Sequence, residues 1–312
     1  VMPSADASKA ISTISGHRLD DEGLMVGLSG SEALQSGQLL GETHPHLLAT
    51  TKGQLFNWYK RHGSQVPMHF WESHRDAITA QLQDAKQAYV RYSLLQQRAR
   101  CHVELGTYDE ALSDLEASHR LARPDFSMGS YSLPLFQRAC LAAHLGRSEV
   151  YRDTCTTMMD SLDPINPYDA PRTATANCLS ATDHGDPLVS IQLAARSVTA
   201  NPRNLQSYLA LSLALHRAGR HANSRDLVQR IINQIPDSHR LHSALRLVDI
   251  LAMIAEGERV EAAAEMELER AQIALLATLS SGRLGDNWHE RLLIEVLAGE
   301  VDKLLIEQPT SP

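Results

Sequence analysis

Histidine is the residue type here best suited to hold a metal, and the chain contains 15 of them. His44-Pro45-His46 is an H-x-H that could hold a cation from an extended segment, and His239 and His242 lie three apart on a stretch with helical pattern. Neither pair has a third ligand at a recognisable spacing, and no H-E-x-x-H occurs. Surface imidazoles account for both pairs, so no metal and no other cofactor is expected. Nucleophilic catalysis needs a Ser or Cys on a strained turn with a base beside it. No G-x-S-x-G is present, and Gly30-Ser31 and Ser281-Gly282 read as loop residues. Cys101 and His102 are neighbours on a helical stretch, where adjacent side chains point about 100° apart, so they do not form a dyad with each other. Asp109-Glu110 and Asp20-Asp21 read as cap and turn carboxylates. The expectation is a protein that is not an enzyme, with a hydrolase carrying an unrecognised site as the remote alternative.

The elements that would position any site are clearest at Leu95 to Leu121, LQQRARCHVELGTYDEALSDLEASHRL. Leu95, Ala99, Val103 and Leu105 give one helix an apolar face, Gly106 permits a turn, and Ala111, Leu112, Leu115 and Leu121 give a second helix its own. Thr107 and Glu110 form a T-x-x-E capping box at the start of the second helix. This is the pattern of a tetratricopeptide helical hairpin, and one such hairpin cannot bury its own face. The register returns at Leu135, where LFQRACLAAHLG repeats six of twelve residues: Leu95, Gln97, Arg98, Ala99, Leu105 and Gly106 become Leu135, Gln137, Arg138, Ala139, Leu145 and Gly146. Later, Tyr208, Leu211, Ala218, Gly219 and Pro236 take the aromatic, leucine, turn and terminal-proline places of a unit, and Pro202 precedes Pro236 by 34 residues, that family's period.

Bulk composition agrees with packed helices. Apolar residues make up 43% of 312, aromatics only 5%, and the formal net charge is −8. An acidic chain is a poor phosphate-binding surface, so nucleic acid is not expected as a partner. Cys101, Cys140, Cys155 and Cys178 show no C-x-x-C pairing and read as buried reduced thiols in a non-oxidising compartment, the cytoplasm. No run of 18 apolar residues and no secretory leader appears, so membrane insertion by this chain is not expected. A first residue of Val reads as a piece of a longer polypeptide.

In chain order, residues 1–66 form an N-terminal linking segment, partly disordered, with a short β-hairpin around Asp20-Asp21-Glu22-Gly23 and a short helix at Leu55 to Tyr59. Residues 67–312 form the helical repeat domain, opening with a stripe of Phe70, Trp71, Ala77, Ile78, Leu82 and Ala85. Repeats follow at 88–122 and 131–162. A degenerate unit then runs from TATANCLSAT to a helix started by Asp186-Pro187, followed by a regular unit at 204–236. Residues 238–280 give two longer helices broken near Gly257. A last helix from Asn287-Trp288 to about Ile306 is expected to cap the open end of the stack, and EQPTSP is a disordered tail.

Together, G-H-R-L-D-D-E-G at 16–23, the repeat at 95–121, TATANCLSAT before Asp186-Pro187 and NWHERLLIEVLAGEVDKLL at 287–305 give an order of segments found elsewhere. It resembles the C-terminal region of planctomycete-type bacterial multidomain proteins, in which a serine/threonine kinase domain, WD40 repeats or both precede a tetratricopeptide-like array. The resemblance implies a non-catalytic interaction arm, with an upstream kinase or WD40 domain as a further partner. No glycine-rich loop, H-R-D or D-F-G of a kinase occurs in this chain.

The expected architecture is an all-α, tetratricopeptide-like right-handed solenoid of about five helix pairs with a less ordered N-terminal segment. First helices line the concave surface of such a stack. Carrying that geometry over points Gln96, Arg100 and Glu104 inward in one unit, Phe136, Cys140 and His144 in the next, and Gln206, Leu209, Leu213, His216 and Arg217 in the regular later one. An apolar floor with Arg and His donors suits an extended peptide or a C-terminal carboxylate. The function expected is protein–protein interaction as a scaffold in signalling, with a self-associating structural subunit as the alternative.

Overall fold

The computed structural model describes residues 17–19, 25–27, 68–122, 132–162, 168–182, 185–235, 240–278 and 288–307. The short helix expected at Leu55–Tyr59, the His44–His46 pair, His239 and the tail after Glu307 lie outside the described residues. Contacts divide the chain into two compact units, Val1–His74 with Ala277–Asp286, and Arg75–Leu276 with Asn287–Pro312.

The first unit contains two short strands, β1 (His17–Leu19) and β2 (Met25–Gly27). They pair antiparallel, His17 opposite Gly27 and Leu19 opposite Met25, on either side of the Asp20-Asp21-Glu22-Gly23 stretch. The opening turns of α1 (Met68–Asp84) also belong to this unit.

The second unit is helical. After the rest of α1 come α2 (Ala88–Leu105), α3 (Tyr108–Leu121), α4 (Leu133–His144), α5 (Ser148–Asp160), α6 (Asp169–Leu179), α7 (Pro187–Ala200), α8 (Leu205–Arg217), α9 (His221–Ile232), α10 (Arg240–Ala255), α11 (Arg259–Thr278) and α12 (Trp288–Ile306). From α2 to α9 consecutive helices form hairpins, and each packs on the next: α3 on α4, α6 and α7 on α8, α9 on α10. In four of the units the first helix stops at a glycine in the left-handed region, Gly106, Gly146, Gly219 and Gly257, with φ between 66° and 91°. One residue beyond each glycine, the backbone N–H reaches back across the turn, as Thr107 to His102 and Arg147 to Ala142, both at 2.9 Å. That pattern satisfies the last carbonyls of the helix and sets the tight hairpin.

The repeated Arg98 and Arg138 take the same structural role in both hairpins. Arg98 donates to both carboxylate oxygens of Asp114 at 2.8 and 2.7 Å, and Arg138 donates to Thr154 Oγ1 at 2.7 Å. Each bond joins a first helix to its own second helix, so these two arginines clamp hairpins. The expected Thr107 cap does not form. Its hydroxyl instead meets His102 Nδ1 at 2.7 Å, which removes it from the free N–H groups of α3. Asp186, by contrast, caps α7 through Leu188 N–H at 2.8 Å, with Pro187 in the first turn.

The degenerate unit occupies the centre. α6 begins at Asp169, earlier than its TATANCLSAT pattern suggests, because Pro171 falls in the first turn, where a missing N–H costs nothing. Nearly all of α6 is buried, and α4, α5, α7, α8 and α12 pack around it. Its run Thr173-Ala174-Thr175-Ala176 keeps the helix thin enough for that crowding. Ala174, Ala194 and Ala210, all fully buried, cluster where α6, α7 and α8 meet.

Candidate functional site

The last helix does not cap the end of the stack. α12 lies against the first helices α4, α6 and α10, and runs antiparallel to α11: Arg291 donates to the carbonyl of Ile273 at 3.1 Å, while Arg259 donates to the carbonyls of Leu304 and, at 2.7 Å, Glu307. The physical reason is its apolar surface. Leu292, Leu293 and Ile294 are consecutive and all buried, together with Trp288, Leu297 and Val301. Three adjacent buried residues sweep about 200° around a helix, too wide a face for an end cap with a polar outer side. The open end is left to α11, whose Val260 and Leu268 are 80% and 69% exposed.

Several of the expected groove residues meet α12. The Phe136 ring stands edge-on to His289, centroids 5.7 Å apart, and Gln137 Nε2 lies 3.4 Å from His289 Nδ1. His144 Nδ1 faces Glu295 at 3.6 Å. Arg217 makes the strongest contact, with its two terminal nitrogens on the two oxygens of Glu300 at 2.5 and 2.6 Å. The same guanidinium donates to the carbonyls of Cys178 and Leu179 at 2.9 and 3.3 Å, tying α6, α8 and α12 together. Arg217 and Glu300 are 5% and 13% exposed, so this bidentate pair is shielded from water and salt.

The remaining expected residues lie elsewhere. Leu209 and Leu213 are fully buried and serve as packing. His216 turns to the second helix of its own unit, its Nδ1 3.2 Å from that of His221. Burial pushes its imidazole down to about 3, and Arg217 and His221 act in the same direction. On α2, Glu104 is buried and Gln96 and Arg100 are partly buried, with Gln96 hydrogen-bonded to Tyr92. Gln206 is partly buried at the start of α8, where its N–H bonds to the Asn204 side chain at 3.1 Å. Arg172 of α6, unremarked in the sequence, lies 5.6 Å over the Tyr168 ring. Burial lowers its guanidinium, and Asp169 opposes that shift.

Burial pushes the thiols of Cys101 and Cys155 up to about 12 and also raises Cys140 and Cys178, so all four are neutral, and none is in a disulfide. Among the described residues no three His, Cys, Asp or Glu side chains converge as a metal site. No described helix is long and apolar enough to cross a membrane.

Sequence reading missed the acidic partners Glu295, Glu300 and Asp302, the last held by Arg270. The signal was there: a tryptophan, aliphatic residues on more than one side and acids at 290, 295 and 300 in one helix.

No protein-family model matches this chain, and no characterised protein matches it by sequence. The crystal structure of a tetratricopeptide repeat protein from Parabacteroides merdae superposes with a TM-score of 0.52 at 15% identity, covering 89% of this chain and 92% of that one. With the hairpins, the glycine turns and the stacking order, that likeness shows the fold. The chain is an all-α, tetratricopeptide-like right-handed helical solenoid.

Proposed function

We propose that the chain is a non-catalytic protein–protein interaction scaffold. The repeat domain, residues 67–312, holds a protein or peptide partner on the face made by its first helices, and residues 1–66 are the linking segment. One observation carries this reading: Phe136, His144 and Arg217, from α4 and α8, already grip an amphipathic helix. Donors held in place by stacked helices bind a ligand with little further loss of entropy. Gln96 and Arg100 extend the same surface along α2 and Gln206 along α8, while Glu104, Leu209, Leu213 and His216 are buried beneath it and support it. We place this arm in a larger bacterial signalling protein, beside a kinase or WD40 domain, on the motifs at 16–23 and 287–305. Four buried thiols outside any disulfide support a cytoplasmic location.

The test is capture of partners from native cells on the immobilised chain, followed by cross-linking and mapping. The expected cross-links fall on α2, α4 and α8. A partner whose cross-links fall only on the second helices α3, α5 and α9 would remove the surface, and no saturable partner at all would remove the scaffold. A second reading, self-association, is favoured by the exposure of Val260 and Leu268 at the open end. Light scattering that shows mass rising with concentration, and losing that rise in V260E, would support it.

A further inference from the structure

α12 is held the way a ligand is held. It follows a second helix, so a continued array would stack it beyond α11, yet it returns over α4, α6 and α10. Apolar and charged anchors alternate along it. Trp288 is buried, and so are the residues 4, 5, 9 and 13 positions further on, Leu292, Leu293, Leu297 and Val301. Glu295 and Glu300, at offsets 7 and 12, meet His144 and Arg217. At these two positions the acceptors sit on the helix and the donors on the array, a complementarity that fixes register and orientation. Arg259 takes the last carbonyls, where the helix dipole is negative.

The occupant itself is not optimised. Gly299 interrupts the middle of α12, exposed, and a Cβ built there meets no atom within 4 Å. Packing therefore does not require glycine, and glycine weakens a helix relative to alanine. Another helix with the same anchors and a better helix former at this point would compete.

We infer that the seat of α12 is a receptor for an acidic amphipathic helix of a partner protein, and that α12 is the resident occupant such a helix displaces. This deepens the scaffold reading and rests on it. The partner helix presents an aromatic residue, aliphatic residues 4, 5, 9 and 13 positions later, and carboxylates at 7 and 12, because those are the features the seat reads. A second copy of this chain is the weaker candidate: it would exchange like for like and forfeit the high effective concentration of a tethered helix.

The experiment uses the full chain and a labelled peptide of residues 287–307 with Ala at the Gly299 position, followed by fluorescence anisotropy. Saturable, weak binding to the wild-type chain is expected. E300Q loosens the resident while the probe's own carboxylate can still reach Arg217, so the probe binds about tenfold tighter. G299A strengthens the resident, so the probe binds about threefold weaker. A probe with Gln in place of the Glu300 carboxylate loses about tenfold on every chain. Circular dichroism checks the fold, and should E300Q fail to fold, G299A against wild type decides alone, since its methyl enters open space. Equal affinity for the folded chains, or no saturable binding, makes α12 a permanent element and overturns the inference. A mass that doubles with concentration in E300Q assigns the seat to a second copy and also overturns it. A native partner mapped to α2, α4 and α8 without probe exchange sinks this inference and leaves the scaffold standing; probe exchange with no native partner removes the scaffold and this inference with it, and leaves only a detachable α12.

Discussion

The α2–α3 hairpin and α12 are both helical and both well packed, but they are specified at different distances along the chain. In the hairpin, Arg98 reaches Asp114 across 16 residues, and the turn between them is set by Gly106 alone. In α12, Glu300 depends on Arg217 83 residues away, and His289 on Gln137 across 152. Loop closure over such spans costs more entropy, so the distant contacts must be individually stronger or better shielded. At Arg217 that shielding falls on the guanidinium, 5% exposed against 23% for Arg98, while Glu300 at 13% is more open than Asp114 at 7% and the His144–Glu295 pair is more exposed still. A hairpin is therefore a local unit, and α12 is a test of whether the whole array has assembled.

The sharpest way to break that contrast is Arg217→Ala. It leaves Glu300 shielded without its partner and two carbonyls of α6 without their donor, a loss of about 4 kcal/mol. Urea unfolding should show it, and Arg217→Met with Glu300→Leu should recover most of the loss, because a shielded ion pair can be replaced by apolar groups of similar size. A loss no greater than that of an exposed arginine would mean that α12 does not depend on this clamp.

Leu297→Ala comes next, at about 3 kcal/mol for a fully buried leucine. Leu115→Ala in α3 should cost a similar amount, since it is equally buried. The two should differ in reach. Native-state hydrogen exchange is expected to show Leu297→Ala opening α12 first, and Leu115→Ala lowering protection through α2, α3 and α4 together. Identical exchange patterns would erase the distinction between a local unit and a docked helix.

What the sequence made legible follows the same division. Helix spans from α2 onward, the start of α6 excepted, the turn glycines, the Asp186-Pro187 start and the last helix were readable because each is set within a few residues by periodicity, caps and φ. The repeated Arg98 and Arg138 were visible as a pattern but not as hairpin clamps, since nothing local says which helix a long side chain will cross to. The return of α12 over the first helices was not legible, and neither was the Arg217–Glu300 clamp. Both depend on which of several apolar faces finds a partner once the array exists. Thr107 erred in the other direction: the capping-box pattern was local, but no cap forms, because His102, five residues earlier, takes its hydroxyl.

Gly106→Ala probes the local side at smaller cost. Its φ of +76° is one an alanine adopts poorly, while a Cβ there meets no atom within 4 Å, so the penalty is backbone strain alone, about 1 kcal/mol. The thermal midpoint should fall by a few degrees with α12 still docked, read from unchanged probe binding at its seat. A larger fall, or a change in probe binding, would mean that the first hairpin is coupled to the distant helix after all.

Acid distinguishes the two regions most finely, through two histidines near the ends of first helices. At His216, burial, Arg217 and His221 all disfavour the charged ring and hold it down to about 3, whereas at His102 burial lowers the ring but Asp114 opposes it. A group whose folded value lies below its unfolded one of about 6.5 binds its proton only in the unfolded chain between those limits, so stability falls as pH drops below about 6.5. One such group contributes a slope of at most about 1.4 kcal/mol per pH unit. Between pH 7 and 5.5, His216→Gln should spare about 1 kcal/mol of the loss that wild type suffers, measured from urea midpoints. His102→Gln should spare less, because Asp114 already offsets part of its burial. Equal flattening by both substitutions would show that the Arg217 neighbourhood is no more hostile to charge than the end of the first hairpin, and that the seat of α12 and the local turn respond to acid alike.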